Sequence, residues 1–405
     1  MRRCRPAGRG RRGPAALRAG GGGGDGCSCS GRGAEAGAGG RRGRRETLWG
    51  VGGGALLAGG APAFAARGVA PDPPPRPLDF TGEGPLAVVR MPNLRQTLPA
   101  LFPRVEVNQT ELEVHVTLPK AAEANPDLRE GFRPPFPLAV ISSGFLVDSE
   151  SYQSYADKLA SWGWVVITYD KAGETMNAPI NDDVSAIFVS ELIDWATRLP
   201  RLAPLVDTVD KGVFLVGHSR GGKVSMLAAA RDPRVTAAVL IDPVDNTKYA
   251  PLGEGFPSAI AAMGSEIRET LPVAIVGAQK GGDCAPREAN YKKFFEAVPR
   301  FAWEVEVEDA GHFQFLDSMS FVQSSVCAIG KTDDRTVRNV AQAVMVSWGE
   351  ATVKRCSGLG REMKAPVVAP LTLAVANTQN LLAYKMQKKA ALQFRSRGLS
   401  EAAEG

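Results

Sequence analysis

The sequence of 405 residues has few of the features that mark several common classes of protein. It contains only three histidines, and its six cysteines form no C-x-x-C pair. Closely spaced Cys and His residues hold most structural zinc ions, so no metal site is expected. No apolar run approaches the ~20 residues that a membrane-spanning helix needs, and no internal repeat is visible. What remains is a chain with 44% hydrophobic residues, which is enough to bury a sizeable core.

Acidic residues and lysine are scarce in residues 1–65, which hold twelve Arg, no Lys and only three acidic side chains. The overall charge of +5 therefore comes from this segment, since the other residues carry 36 basic and 40 acidic side chains. That balance gives no indication of nucleic-acid binding. An Arg-rich, acid-poor and glycine-rich segment is typical of an organelle transit peptide, so we expect residues 1–65 to be a cleaved leader.

A second targeting pattern follows within the same segment. Paired arginines at 41–45 (RRGRR) precede a short apolar run at 48–57 and an A-x-A site at 63–65. This arrangement resembles a twin-arginine translocation signal. The two signals together predict a chloroplast protein that is sent to the thylakoid lumen or to the thylakoid membrane surface. The alternative is a single stromal transit peptide with an A-x-A site by chance.

A short apolar run leads into a glycine-rich turn and then a helix-forming segment. The residues VFLV at 213–216 are typical of a buried strand, and GHSRGG follows at 217–222. In a G-x-S-x-G turn, only glycine is tolerated on either side of the serine, and Gly217 and Gly221 meet that requirement. The pattern predicts a nucleophile elbow with Ser219 as the catalytic residue. The alternative is an ordinary serine in a glycine-rich turn.

Apolar runs alternate with helix-like segments on both sides of this turn. The predicted strands are 112–118, 138–141, 164–168, 213–216, 237–241, 272–277 and 302–307. The predicted helices are 152–161, 181–199, 220–230, 288–297 and 335–352. Such alternation favours a mostly parallel sheet with helices on both faces, and with the elbow in mid-sheet the predicted fold class is the α/β-hydrolase fold.

The residues after the leader are expected to form three segments. A proline-rich arm is expected at 66–105, the catalytic domain at 106–360 and a helical extension at 361–405, with the terminal helix beyond Pro370. Residues 246–270 are rich in glycine and proline with little periodicity, which indicates a loop or lid over the active site.

A catalytic serine needs a base, and the chain has three candidates. His115 lies on an outer strand and is interpreted as structural. His218 neighbours Ser219, but adjacent side chains point apart at such a turn, so a packing or gating role is expected. His312 follows the last strand of the domain, where an α/β hydrolase carries its base, and it is therefore the predicted general base.

The acid that orients the base is less clearly marked. Asp242 ends the strand after the elbow, where a carboxylate can be buried beside the imidazole. Asp283 follows the next strand, which is the commoner position for a hydrolase acid, but it lies in a glycine-containing loop. Asp242 is the preferred candidate, while Asp245 and Asp309 are lesser ones.

Two backbone N–H groups should form an oxyanion hole. The residue after the nucleophile, Arg220, is expected to supply one of them. The second is expected from Phe145 or Leu146, where Gly144 allows close approach of the backbone after the strand at 138–141.

Four residues are candidates for lining a substrate-binding groove. These are Gly144, Tyr249, Phe256 and Phe313, with Phe145 as a further aromatic lining. The alternative for the aromatic residues is ordinary core packing.

Three cysteines remain outside the leader. Cys284 and Cys327 are a candidate disulfide pair, whereas three thiols including Cys356 are the simpler alternative.

Several segments, in order, resemble the chlorophyllase family. The turn GHSRGGK at 217–223 is similar to the lipase-type motif of that family, in which Arg after the serine and Lys after the paired glycines are characteristic. The other similar segments are GFL at 144–146 with Tyr152, IDPVD at 241–245, CAP at 284–286 with Asn290 and Phe294, and GHFQFLD at 311–317. The matches extend from 137 to 330, roughly half of the chain.

The resemblance implies hydrolysis of the phytyl ester of chlorophyll to chlorophyllide and phytol, without a cofactor. It also implies that Asp242 of the D-P-V segment is the acid. The chain departs from the family pattern at Gly311-His312-Phe313, where a G-H-M segment is usual, and at Ser143-Gly144, where an H-G pair is usual.

The sequence is also compatible with other functions. One is a general carboxylesterase or lipase that acts on other plastid lipid or pigment esters, since the elbow and triad do not distinguish substrates. Another is a non-catalytic protein of the hydrolase fold that binds chlorophyll or lipid. Pheophytinase is disfavoured because a His-Ser-Arg centre is not its pattern. Peripheral contact with the thylakoid membrane is a further expectation, and the oligomeric state is left open.

Overall fold

The structure is a computed structural model that describes residues 78–97, 111–120, 132–354 and 365–399. The expected leader and Cys356 lie outside these residues. The described strands are β1 (Val88–Arg90), β2 (Leu94–Thr97), β3 (Glu111–Pro119), β4 (Leu138–Ser142), β5 (Val165–Lys171), β6 (Val213–His218), β7 (Val235–Ile241), β8 (Val273–Lys280), β9 (Ala302–Gly311) and β10 (Leu392–Arg397).

These strands form one sheet in the order β1-β3-β5-β4-β6-β7-β8-β9-β10, and β2 also pairs with β3. The six strands from β5 to β9 in this order are parallel, while β3 and β10 pair in the antiparallel direction at either side. The mostly parallel sheet with the elbow strand β6 at its centre confirms the predicted α/β-hydrolase fold. The carboxyl ends of all six parallel strands therefore meet at one edge of the sheet.

The helices cover both faces of this sheet. They are α1 (Gln153–Ser161), α2 (Asp182–Arg198), α3 (Arg220–Arg231), α4 (Ala259–Ser265), α5 (Tyr291–Ala297), α6 (Phe321–Val326), α7 (Asp334–Gly349) and α8 (Ala365–Met386). None of the helices in the described part of the chain combines the length and apolar character needed to span a bilayer.

Side chains of β6 show how the two faces are filled. All six residues of this strand are buried, and the first four alternate between two apolar clusters. Phe214 and Val216 pack in the cluster with α1, α7 and α8, whereas Val213 and Leu215 pack in the cluster with α2 to α5. A strand covered on both faces needs apolar residues at every position, which is why the sequence reads VFLV without alternation.

Two segments differ from the expectation. The segment 246–270 is not a continuous loop, because α4 occupies Ala259–Ser265 and buries Met263 in the core. The sequence of α4, AIAAMGS, shows little helical periodicity, so a helix was not predicted there. The extension at 361–405 is not only helical, since α8 begins before Pro370 and β10 follows it as an edge strand of the sheet.

Candidate active site

The turn between β6 and α3 holds Ser219 in a strained conformation. Its backbone has φ 55° and ψ −127°, a region that side chains other than glycine rarely adopt. A Cβ on Gly217 would lie 2.2 Å from the carbonyl oxygen of Gly221, and a Cβ on Gly221 would lie 2.0 Å from that of Ser142. Glycine at both positions is therefore a steric requirement of the turn. Ser219 lies at the sheet edge where the parallel strands end.

Three side chains from separate loops at this edge form a continuous hydrogen-bonded series. The Nε2 atom of His312 lies 2.9 Å from Oγ of Ser219, and its Nδ1 lies 2.6 Å from Oδ2 of Asp242. His312 and Asp242 are both buried, while Ser219 is partly exposed. An imidazole placed between a hydroxyl and a buried carboxylate can remove the proton of the hydroxyl, which is the geometry of nucleophilic catalysis.

Asp242 is held on both sides of its carboxyl group. Its Oδ1 accepts a hydrogen bond from the backbone N–H of Ala278 at 3.0 Å, and Oδ2 faces His312. Its own backbone, with φ 39°, donates to the carbonyl oxygen of Val276 at 2.6 Å. The neighbouring strand β8 thus fixes the direction in which the carboxylate points.

The other candidate acids lie elsewhere. Asp283 is exposed and forms an ion pair with Lys248, and Asp309 pairs with Lys280 at 2.5 Å. Asp245 accepts hydrogen bonds from the Ser258 hydroxyl and the Ala259 N–H at the start of α4. Asp242 is the only one of these four carboxylates for which the structure records a hydrogen bond to His312.

The other two histidines are bonded away from Ser219. His115 on β3 contacts Asn93 and Asp170 at 2.9 and 3.2 Å. His218 is fully buried, with Nε2 3.0 Å from the carbonyl oxygen of His312 and Nδ1 2.7 Å from the Tyr152 hydroxyl.

The bonds of His218 determine where its proton lies. The carbonyl of His312 can only accept, so Nε2 of His218 donates and Nδ1 accepts the Tyr152 O–H. The Tyr152 oxygen in turn accepts from the Gly144 N–H at 3.1 Å. Burial raises the pKa of Tyr152, and burial together with the nearby His312 holds the pKa of His218 well below its ordinary value. A neutral chain of hydrogen bonds therefore links the loop after β4 to the backbone of His312.

The hydrogen bond between Tyr152 and His218 was not predicted from the sequence, because the two residues are 66 positions apart and no local pattern pairs them. From the sequence, Gly144 was expected among the residues of the substrate groove. Gly144 does not line the cavity described below. It lies behind Ser219, where a Cβ would come within 3.3 Å of the serine Cβ and of Nδ1 of His218. Its absent side chain leaves room for Ser219.

A cavity of about 580 Å³ opens in front of Ser219 and His312. This volume falls within the range of small-molecule sites. Its wall includes the expected Phe145, Leu146, Tyr249, Phe256 and Phe313, together with Asn246, Thr247 and residues 250–253. All four aromatic side chains are partly or fully exposed, although Phe313 also packs against the apolar core.

A buried group of charges supports one wall of the cavity. Arg220 donates to Asp182 at 2.5 Å and to Glu174 at 2.9 Å, and Lys223 contacts Asp182 at 2.8 Å. Lys171 also pairs with Glu174 at 2.8 Å. The Arg and Lys of the GHSRGGK turn thus meet the first residue of α2. The acidic partners were not predicted, because the ion pairs join residues far apart in sequence.

The guanidinium of Arg220 also lies over two aromatic rings. It is 5.1 Å from the ring centroid of Phe145 and 5.6 Å from that of Phe256. These distances are within the range of cation–π contacts. One side chain therefore connects the loop after β4 with the segment that follows β7.

A disulfide joins Cys284 and Cys327, the pair that the sequence offered as one of two alternatives. Both cysteines line the cavity. The bond attaches the turn after β8 to the residue that follows α6. The two segments therefore form one connected part of the cavity wall.

Fold and site together define an α/β hydrolase with a serine-centred site at the edge of its parallel strands. A profile of the chlorophyllase family matches residues 105–380, more than half of the sequence. The chain belongs to the chlorophyllase family and is a carboxylic ester hydrolase.

Individual relatives are similar over shorter or longer parts of the chain. Chlorophyllase-1 of Arabidopsis thaliana is 26% identical over 266 residues, which cover 59% of this chain and 79% of the relative. A monoglyceride lipase homologue of monkeypox virus is 29% identical over 120 residues, or 29% of this chain and 42% of the relative. A bis(hydroxyethyl) terephthalate hydrolase of Streptomyces coelicolor is 27% identical over 180 residues, or 44% of this chain and 51% of the relative.

Proposed function

We propose that this enzyme hydrolyses the phytyl ester of chlorophyll to chlorophyllide and phytol, with Ser219 as nucleophile, His312 as general base and Asp242 as the acid that orients it. The observation that carries the proposal is the series Ser219–His312–Asp242 at the wall of a largely apolar cavity. Membership of the chlorophyllase family supports the choice of substrate. A phytyl chain and a porphyrin ring are both apolar, and they need a cavity of this character.

In the first half of the reaction, Nε2 of His312 takes the proton of the Ser219 hydroxyl, and the oxygen attacks the ester carbonyl. The tetrahedral intermediate collapses when His312 returns the proton to the phytol oxygen, leaving the acyl group on Ser219. His312 then removes a proton from water, whose oxygen attacks the acyl-enzyme. When the bond to the acyl group breaks, His312 returns this proton to the Ser219 oxygen, and chlorophyllide is released. The buried carboxylate of Asp242 stabilises the imidazolium in both halves and keeps its tautomer fixed.

The oxyanion of each tetrahedral intermediate would be held by backbone N–H groups. Arg220 supplies one of them at the start of α3, where the helix dipole also favours negative charge. The second comes from Phe145 or Leu146. Gly144 is a poor candidate for it because its N–H already donates to Tyr152.

The test is to incubate the full-length chain with chlorophyll a in mild detergent and to separate the pigments by chromatography. Ser219→Ala is the control, and a short p-nitrophenyl ester is assayed in parallel. Chlorophyllide that forms only with the intact serine supports both the triad and the substrate. If the p-nitrophenyl ester is cleaved but chlorophyll is not, the serine mechanism stands and the substrate assignment fails.

The second candidate function is a carboxylesterase or lipase on other plastid lipid or pigment esters. The similarity to a monoglyceride lipase homologue and to a terephthalate hydrolase favours it, because both names describe hydrolases of other esters. Competition between chlorophyll a and a monoacylglycerol in one reaction would rank the two substrates. The reading as a non-catalytic binding protein is set aside, since the family consists of ester hydrolases.

The leader completes the proposal with a location. The Arg-rich residues 1–65 would direct the chain to the chloroplast, and the RRGRR motif would carry it into the thylakoid lumen or to the thylakoid membrane. Fractionation of chloroplasts after import tests this. Replacing the four arginines of RRGRR by lysine should leave import intact and stop transfer across the thylakoid. Recovery of the unaltered chain in the stroma alone would favour a single stromal signal.

A further inference from the structure

Exposed apolar side chains are concentrated at the mouth of the cavity. In the described part of the chain, twelve large apolar residues are exposed to solvent, and six of them line the cavity. Two more, Phe321 and Ile329, flank cavity residues in the segment that follows β9. We call these eight residues the apolar rim: Leu146, Met176, Tyr249, Leu252, Phe321, Val322, Val326 and Ile329. Single exposed apolar residues are common, but a concentrated group marks an interaction site.

The fold explains why these residues meet. They come from the segments that follow β4, β5, β7 and β9, and these are parallel strands whose carboxyl ends share one edge of the sheet. Val209 is about as exposed as Phe321, at 81%, but it lies in the loop before β6. It is therefore at the amino ends of the parallel strands, opposite the apolar rim. The apolar rim is therefore a property of the edge that carries the active site.

The helix α6 lies at this edge and is exposed to solvent. None of its residues is buried, and the exposed fraction of Phe321 is 85%. The disulfide between Cys284 and Cys327 nevertheless fixes the residue that follows this helix to the turn after β8. A helix that exposes Phe321, Val322 and Val326 to solvent and is held in place is suited to insertion into an apolar medium.

Two of the four segments that form the apolar rim carry almost no charge. The segment 321–330 (FVQSSVCAIG) and the segment 249–252 (YAPL) contain no ionisable side chain other than Tyr249 and the disulfide-bonded Cys327. The nearby Lys248 is paired with Asp283, so their charges cancel. Attraction to this surface would depend on apolar burial and not on electrostatics.

The occupant must cover the apolar rim without closing the cavity that it surrounds. A protein partner or a second copy of this chain would block the mouth against substrate. A lipid bilayer buries the same residues and, at the same place, supplies an ester with a long alkyl chain. We propose that the apolar rim docks the enzyme on the surface of a lipid bilayer, with the cavity open toward the acyl chains. The choice of a bilayer rests on the proposed substrate, whereas the existence of the surface does not.

The test is flotation with vesicles of dioleoylphosphatidylcholine, which carry no net charge. Ser219→Ala in the full-length chain serves as the reference, so that no hydrolysis occurs. Adding Phe321→Ser and Ile329→Ser should lower the partition coefficient about tenfold or more, because both side chains would lose their apolar burial in the bilayer. Adding Val209→Ser instead should leave it unchanged. Raising the salt from about 0.05 to about 0.5 M should have little effect, since screening acts on charges.

Several results would overturn the proposal. One is a partition coefficient that is the same for the rim variant and the Val209 variant. Another is vesicle binding that is lost at high salt. A rim substitution that converts a dimer to a monomer in mass photometry would instead assign the surface to self-association.

Activity separates this proposal from the proposed function. Without Ser219→Ala, the pair Phe321→Ser and Ile329→Ser should cleave a soluble p-nitrophenyl ester at the normal rate, because neither residue lines the cavity. Vesicle binding without chlorophyll hydrolysis would refute the substrate and leave the docking surface in place.

Discussion

Asp242 accepts hydrogen bonds from two directions, and this decides what its replacement should do. The change Asp242→Asn presents an amide where His312 needs an acceptor, so the imidazole loses its tautomer and its stabilising charge. We expect kcat for a soluble p-nitrophenyl ester to fall by about 10⁴. The control is Asp283→Asn, which alters only an exposed ion pair and should keep full activity. Normal activity of Asp242→Asn with loss in Asp283→Asn would transfer the role to Asp283.

Tyr152 is linked to the proposed general base His312 by hydrogen bonds that pass through His218 to the backbone of His312. In Tyr152→Phe, Nδ1 of His218 loses its donor and the Gly144 N–H loses its acceptor, so the base and the adjoining loop are both less firmly placed. We expect kcat to fall by roughly tenfold with KM little changed, because misplaced catalytic groups mainly affect the reaction step. Steady-state kinetics on a soluble ester measures both constants.

The matched control for this change is Tyr291→Phe. Its buried hydroxyl bonds Glu306 at 2.5 Å and belongs to a different part of the core. The control should lose a comparable amount of stability and little kcat. Equal loss of kcat in both variants would mean that Tyr152 contributes only to packing.

Among the secondary-structure elements, the first residue of α2 forms ion pairs with α3, and the two helices also pack through apolar side chains. Asp182 is buried and receives both Arg220 and Lys223, so Asp182→Asn would leave two cations without their shared partner. Removing one member of a buried ion pair is costly, and we expect the free energy of unfolding to fall by about 3 kcal/mol.

Urea unfolding measures this loss, with an unchanged m-value as the sign of an intact fold. The neighbouring Asp183 is partly exposed and bonds only the next backbone N–H among its recorded side-chain contacts. Asp183→Asn should therefore cost much less than Asp182→Asn. Similar losses at both positions would argue against a special role of the buried charges.

The whole molecule should lose stability in acid partly through His218. Its folded pKa lies well below the ordinary value, whereas the unfolded chain binds a proton near pH 6.5. Below that pH the unfolded state takes up the proton and the folded state does not, so the free energy of unfolding falls as the pH falls.

For an imidazole that stays uncharged in the folded state over this range, the loss of stability between about pH 7.5 and pH 5 reaches about 2 kcal/mol at most. Urea unfolding of the unaltered chain and of His218→Gln at both pH values tests it. The variant is expected to have a lower free energy of unfolding at neutral pH but to lose less of it on acidification than the unaltered chain. Parallel pH profiles would show that His218 is protonated in the folded state.

The sequence was most informative where local pattern determines structure. The elbow could be predicted because strand, glycines and helix are consecutive, and His312 because it follows the last parallel strand. Bonds between distant residues could not be predicted, and the Tyr152–His218 contact is of this kind. The edge strand β10 was missed because only Leu392 and Phe394 in it are apolar. An antiparallel edge strand depends on its neighbour β9, and a short sequence window does not contain that information.

That same edge strand has a practical consequence for handling the protein. Residues 392–397 pair with β9 along six positions, and Arg395 forms two hydrogen bonds, of 2.7 and 2.6 Å, with the buried carboxylate of Glu304. Without β10, the N–H and C=O groups along one side of β9 would have no partner. Exposed sheet edges recruit strands from other molecules, which leads to aggregation. A shortened version that stops after α8 would keep all three residues of the proposed triad and yet be prone to precipitate during expression and storage.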